Sequence, residues 1–190
     1  MPISIKSAVI VVIVILAVLA VSLVLRRRSE EQRASGPSPE EVYRGLRGLA
    51  LGFSRAKLGL PRAGAPMEPW GVIMDWGVTS GTATVVAVSD GSASIYLSSG
   101  GGYLGGFSHE SIREAARNMV KVAAEVQSQT TATTIYPLPG RGEVIFYLLT
   151  DAGIFTASGS EEELKAHRHF LSKLGDAGQE VITHYRLIQK

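Results

Sequence analysis

The hydrophobic pattern of the chain changes character after Leu25 and again at Ser38. From Ser7 to Leu25 the run SAVIVVIVILAVLAVSLVL carries no charge, Pro or Gly. At the helical rise it spans roughly 28 Å, close to the hydrocarbon thickness of a bilayer. β-branched Val and Ile weaken a helix in water, but in lipid the backbone must satisfy its own hydrogen bonds, so the run predicts one transmembrane helix. From Ser29 to Pro37 the residues are small or polar, without an apolar period, and predict a tether. Beyond it the apolar positions recur at helical spacing, then in strand-like runs, then at helical spacing again.

The first helical pattern opens on Ser38-Pro39-Glu40-Glu41, with a capping Ser, a Pro at the first helical position and a Glu at the third. Val42, Leu46, Leu49, Ala50 and Phe53 then form one stripe, predicting a helix that buries this face and stops at Gly59 and Pro61. Strand signals follow from Trp70 to Val78, Thr82 to Ser89 and Ser92 to Ser98, separated by Ser80-Gly81 and Asp90-Gly91. Asp-Gly is a hairpin signal because both turn residues accept positive φ. After a glycine-rich stretch from Ser99 to Gly106, a helix from about His109 to Gln127 presents Ile112, Ala116, Met119, Ala123 and Val126 on one face, with Ser108 as its cap.

Thr133 to Tyr136 reads as a short edge strand ended by Pro137, and strands from Glu143 to Leu149 and Ile154 to Ala157 flank Asp151-Ala152-Gly153. Ser160 and Glu163 form a capping box for a last helix. The stripe Phe170, Leu174, Ala177, Val181, Tyr185 and Ile188 carries that helix past Gly175 and Gly178. Strands pair mainly with their sequence neighbours. The expected fold is therefore α+β: an antiparallel sheet of five or six strands packed with two or three helices, preceded by one transmembrane helix. The expected divisions are an anchor with its basic flank at 1–28, a tether at 29–37 and an α+β domain at 38–190.

Charge refines this picture. A cleaved signal peptide would show a basic start, a shorter apolar stretch and a small-residue cleavage site. Here Arg26, Arg27 and Arg28 follow the apolar run instead, reinforced by Arg33. By the excess of Lys and Arg on cytoplasmic flanks, the amino terminus faces out and the carboxyl domain lies in the cytoplasm. Setting aside Lys6 and these four arginines leaves 14 of the 19 Lys and Arg, and setting aside Glu30 and Glu31 leaves 15 of the 17 Asp and Glu. The domain is thus nearly neutral and lacks the basic footprint of a nucleic-acid binder, so no nucleic-acid partner is expected. The juxtamembrane arginines are a topology signal and a contact for anionic lipid. With no Cys there are no disulfides, thiolate nucleophiles or Cys-based zinc sites.

The stretch DGSASIYLSSGGG followed by HESIREAARNMVKVAAE resembles the roadblock family over one hairpin and one helix. That resemblance implies a sheet-and-helix module used for dimerisation and scaffolding. PWGVIMDWG, TATVVAVSDGSASIYLSSGGGYLGG, FYLLTDAGIFTA and EVITHYRL together are similar to a group of uncharacterised bacterial proteins, from Pro69 to Leu187. This second resemblance implies a bacterial origin, hence the inner membrane, and supplies no catalytic residue.

Candidate chemistry centres on Gly100, Gly101, Gly102, Tyr103, Leu104, Gly105, Gly106 and Phe107. Gly100 to Gly105 satisfies G-x-G-x-x-G between a strand and a helix. A dinucleotide site also needs a parallel βαβ unit and an acidic residue ending the next strand, whereas hairpins surround this motif. His109, His167, His169 and His184 are the candidates for metal or general-base work; His167 and His169, two apart on a helix, would point away from each other. Ser98, Ser99 and Ser108 beside His109 lack a nucleophile elbow. Trp70 and Trp76 would share a strand face. No catalytic residue, metal or cofactor is expected.

The expected function is a membrane-anchored, non-catalytic interaction or scaffold module on the cytoplasmic face. Its partners would be the bilayer through Ser7 to Leu25 and a protein partner or second copy through the glycine loop and the adjoining strand edge. The alternatives are a small ligand- or nucleotide-sensing domain or enzyme using that loop, and a subunit of a membrane-embedded machine. A reporter fused to the carboxyl terminus is expected to be active on the cytoplasmic side; periplasmic activity, or a mature chain lacking everything before Arg26, overturns this topology.

Overall fold

Burial of both faces of the central strand-forming segments sets the architecture. The computed structural model describes residues 36–61 and 64–188. The apolar run at 7–25 and the tether up to residue 35 lie outside the described residues. Among the described residues, no helix is long and apolar enough to cross a membrane.

Helix α1 (Pro39–Leu51) is followed by strands β1 (Gly71–Val78), β2 (Gly81–Val88), β3 (Ala93–Leu97) and the two-residue β4 (Gly102–Tyr103). Helix α2 (Glu110–Val126), the short β5 (Thr131–Thr133), β6 (Glu143–Thr150) and β7 (Gly153–Ser160) come next, then helices α3 (Glu161–Lys165) and α4 (Ser172–Leu187). The strands form one seven-stranded sheet in the order β4-β3-β2-β1-β6-β7-β5, with every pair antiparallel. Residues from Pro39 onward form one compact unit. The fold is α+β, as its sequence indicates, with seven strands rather than five or six and four helices rather than two or three among the described residues.

One face of the sheet, carrying Val72, Met74, Val85, Ile95, Phe146 and Leu148, packs against Ile112, Ala116 and Met119 of α2 and Leu174, Val181 and Tyr185 of α4. The other, carrying Ile73, Val86, Tyr96, Ile145, Tyr147 and Leu149, is covered by Tyr43 and Ala50 of α1 with Leu46, Phe53, Leu58, Leu60 and Tyr136 around them. Because both faces are buried, β1 and β6 read as nearly continuous apolar runs instead of alternating ones.

Four local expectations are corrected. Helix α1 buries only part of its predicted stripe: Ala50 is buried and Leu46 and Phe53 pack against the core, but Val42 is 45% and Leu49 65% exposed, and Tyr43 and Arg47 go inward instead. The edge strand lies at Thr131–Thr133, because Tyr136 leaves the sheet edge to pack under α1. The last helix is broken between Lys165 and Ser172, where His167 adopts φ 53. The break folds α3 back so that Leu164 packs where a Cβ on Gly175 would lie, only 3.0 Å away; Phe170 in the break and Ile188 at the far end of α4 are partly exposed. In the β2–β3 hairpin the positive φ falls on Gly91 alone.

The orientation of α1 is decided by a charge in the middle of the sheet. Asp75 on β1 is fully buried, and its Oδ2 accepts from Arg47 Nε at 2.7 Å and faces Nη2 at 2.6 Å. Its Oδ1 accepts from Thr84 Oγ1 at 2.5 Å, directly across the β1–β2 register. With its hydrogen committed to Asp75, Thr84 accepts from the Tyr43 hydroxyl at 2.9 Å. The remaining Arg47 donors reach the carbonyls of Tyr136 at 3.1 Å and Pro137 at 3.2 Å. The Tyr147 hydroxyl also donates to Pro137 O, at 2.8 Å. Burial holds the Asp75 carboxyl above its ordinary value against the pull of Arg47 and Thr84. Burial, with the Asp75 charge adding to it, pushes Tyr147 up to about 12.

Losing one member of a buried ion pair strands the other charge. Arg47→Met and Asp75→Asn are each expected to lower unfolding free energy by about 3–5 kcal/mol, and the double variant by less than the sum. Urea unfolding of all four proteins checks this; strictly additive losses would show that the two side chains do not act as a unit.

Candidate functional site

The glycine-rich segment becomes a folded strap. The turn after β3 closes through hydrogen bonds from Gly100 N to Leu97 O at 3.0 Å and from Leu97 N to Gly101 O at 3.1 Å. Gly100 and Gly101 have φ values of 105° and 81°, which side chains with a Cβ rarely adopt. Gly102 and Tyr103 then return along β3 as β4, opposite Tyr96 and Ile95. Gly105 leads into one 3-10 turn, Gly106–Ser108, and α2 begins at Glu110. Ser108 does not cap α2: it closes the 3-10 turn, and His109 takes the cap position without a side-chain hydrogen bond.

Tyr185 of α4 pins the strap from below. Its hydroxyl accepts from Gly106 N at 3.1 Å and donates to Ala93 O at 2.6 Å. Its ring stacks on Tyr103 with centroids 5.6 Å apart and planes 18° apart. A Cβ on Gly106 would fall 2.4 Å from that hydroxyl and 2.6 Å from Ile112, so only Gly allows the approach. Burial raises the Tyr185 phenol above its ordinary value, and the bond from Gly106 offsets only part of the effect.

The eight candidate residues thus divide. Gly106 is buried and Tyr103 half-buried against Tyr185. Leu104 is 67% and Phe107 50% exposed at the tip, and Arg113, bridged to Glu110 at 3.0 Å, lies over the Phe107 ring at 4.6 Å. Tyr103 therefore belongs to the strap's foundation, whereas Leu104 and Phe107 form its outer surface.

The other candidates are dispersed. His109 is exposed, His167 lies 3.6 Å from Asp176, His169 Nδ1 accepts from Leu171 N at 3.3 Å, and His184 lies 3.9 Å from Glu180. His167 and His169 sit in the break before α4 and not on a helix. Among the described residues, no group of three His, Cys, Asp or Glu is arranged to hold a metal ion. Ser98 Oγ accepts from Thr82 N at 2.8 Å and so ties β2 to the end of β3. Trp70 and Trp76 do not share a face: Trp76 packs with the α2/α4 side and Trp70, ahead of β1, with the α1 side. With every strand pair antiparallel, the G-x-G-x-x-G stretch has no parallel βαβ unit to place it as a dinucleotide loop.

An open cleft of about 490 Å³ lies between Phe53, Arg55, Trp70 and Asp151. Its cation is already engaged, with Arg55 Nε 2.9 Å from Asp151 and Nη1 donating to Pro61 O at 2.6 Å. The polar cluster of Tyr43, Arg47, Asp75, Thr84 and Tyr147 escapes a motif search because no spacing announces it. Its one signal is an Asp inside an apolar strand, which demands a buried partner. Comparison with protein-family models, with curated proteins and with solved structures returns no match.

Ionising Tyr185 would end its donation to Ala93 and bury a charge. The folded state therefore holds that proton more tightly than the unfolded chain, whose tyrosine follows the ordinary value of 10.0. The resulting stability is complete below pH 10.0 and is lost as pH rises through the raised folded value. Above that pH, denaturation midpoints are expected to fall less steeply for Tyr185→Phe than for the unaltered protein; parallel slopes would count against this role.

Proposed function

We propose that the protein is a membrane-tethered, non-catalytic interaction module that presents the Leu104/Phe107 tip of its glycine strap to a protein partner on the cytoplasmic face. The observation that carries this reading is the pairing of exposure with fixation. Two large apolar side chains face solvent on a loop anchored to the core through Tyr185. A loop already held in place gives up little conformational freedom on binding, so apolar contacts at its tip convert efficiently into affinity. The membrane anchor is the run from Ser7 to Leu25 with its arginine flank, and the scaffolding role implied by the resemblance to the roadblock family points the same way.

The reading is tested on the full chain extracted in mild detergent. Leu104→Ala with Phe107→Ala is expected to abolish recovery of the co-purifying partner while the melting temperature moves by no more than a few degrees, as surface changes usually allow. His109→Ala is expected to leave recovery unchanged. If recovery survives the double change while His109→Ala removes the cellular phenotype, a ligand-sensing or enzymatic reading of the loop replaces this one.

A further inference from the structure

The two faces of the domain meet their surroundings differently. The helices of one face turn Glu114, Lys121 and Glu125 of α2 and Lys173, Asp176 and Glu180 of α4 outward, as expected for a water-facing surface. On the other face, α1 turns out Val42 and Leu49, 45% and 65% exposed and one helical face apart from the buried Tyr43/Arg47/Ala50 side. Arg47 holds the 136–137 backbone beside α1, and Ile135 and Leu138 flank those carbonyls with 73% and 40% exposure. The outward apolar side of α1 is thus no accident of a loosely placed helix: the Asp75–Arg47 pair fixes the rotation that displays it.

The position of α1 along the chain says what covers it. Pro39 follows Leu25 by 14 positions, so even a fully extended chain keeps the start of α1 within about 50 Å of the end of the apolar run. Arg26, Arg27, Arg28 and Arg33 lie in between and favour anionic headgroups at the same surface. We infer that the outer face of α1, with Ile135 and Leu138 beside it, docks on the bilayer at the headgroup–acyl boundary and lays the domain down with α2 and α4 toward the cytoplasm. Apolar side chains on an interfacial helix gain by entering that boundary, and the tether prepays much of the encounter. This inference rests on the membrane-tethered reading and adds an orientation that leaves the Leu104/Phe107 strap free for a partner.

The chain contains no Cys, so single cysteines can be labelled with a nitroxide in the full-length protein. Val42→Cys, Leu49→Cys and, as a reference on the other face, Lys121→Cys would be reconstituted in vesicles of phosphatidylcholine and phosphatidylglycerol. Spin relaxation by oxygen and by a water-soluble nickel chelate then reads depth. Labels at 42 and 49 are expected to shift toward oxygen and away from nickel when moved from detergent-free buffer-exposed reference peptides to vesicles, while the label at 121 stays nickel-accessible. Val42→Ser introduced beside Leu49→Cys is expected to reduce the shift at 49.

Nickel-accessible labels at 42 and 49 on a chain that stays with the vesicles after alkaline washing would overturn the docked face and leave the tether standing. A chain that washes off the vesicles would overturn the tether and the docked face together. Strong spin–spin coupling between identical labels at 49 would assign the face to a second copy, whose helix could approach closely over the open Gly45 and Gly48, and would equally overturn the lipid assignment.

Discussion

One buried charge organises the α1 side of this domain. Asp75 sits at the centre of β1 with none of its side chain reaching solvent, in a place where an isolated carboxylate would be prohibitively unfavourable. Everything around it answers that demand. Thr84 comes from the neighbouring strand, Tyr43 and Arg47 from successive turns of α1, and Arg47 in turn gathers the Tyr136 and Pro137 carbonyls. A purely apolar interface could slide or rotate by a residue at modest loss. A network in which each donor has one acceptor admits a single rotation of the helix.

That rotation has consequences beyond stability. By turning Tyr43, Arg47 and Ala50 inward it turns Val42 and Leu49 outward, so two of the apolar positions of α1 face solvent while Leu46 stays against the core. On the opposite face no charge is buried among the described residues, and α2 and α4 pack Ile112, Met119, Leu174 and Val181 in an apolar layer. The strap above α2 is held by a smaller version of the α1 device. The Tyr185 hydroxyl spends its acceptor on Gly106 and its donor on Ala93, linking the strap, the start of β3 and α4 at one atom. The domain thereby has one side covered by α2 and α4 and another covered by α1, where Val42 and Leu49 face outward.

Element type was legible where the pattern was strong. The stripes of Ile112, Ala116, Met119, Ala123 and Val126, and of Leu174, Ala177, Val181 and Tyr185, are buried as their spacing implies, and the turns at Gly81, Gly91 and Gly153 join the strands they separate. The capping box of Ser160 and Glu163 starts a helix, with Glu163 N donating to Ser160 Oγ at 3.2 Å. What misled was counting Val42 and Leu49 into the inner stripe with Leu46, Ala50 and Phe53, which do pack inward. The partner of α1 is a strand carrying Asp75, so Tyr43 and Arg47 take the inner positions that the apolar count alone would give to Val42 and Leu49.

The sequence by itself determined the class of fold, the antiparallel pairing of neighbouring strands and the inner faces of α2 and α4, because these follow from periodicity and turn chemistry within short windows. Tertiary structure alone decided the rest. Asp75 and Thr84 meet across the β1–β2 hairpin, but Arg47 and Tyr147 come from distant segments and join them only once β1, β2 and β6 are in register under α1. The division of the glycine strap into a foundation of Tyr103 and Gly106 and a tip of Leu104 and Phe107 depends on Tyr185, whose contact spans 79 positions. Local pattern reports what a segment can bury; which face it does bury is settled by the polar groups it has to satisfy when the distant parts of the chain come together.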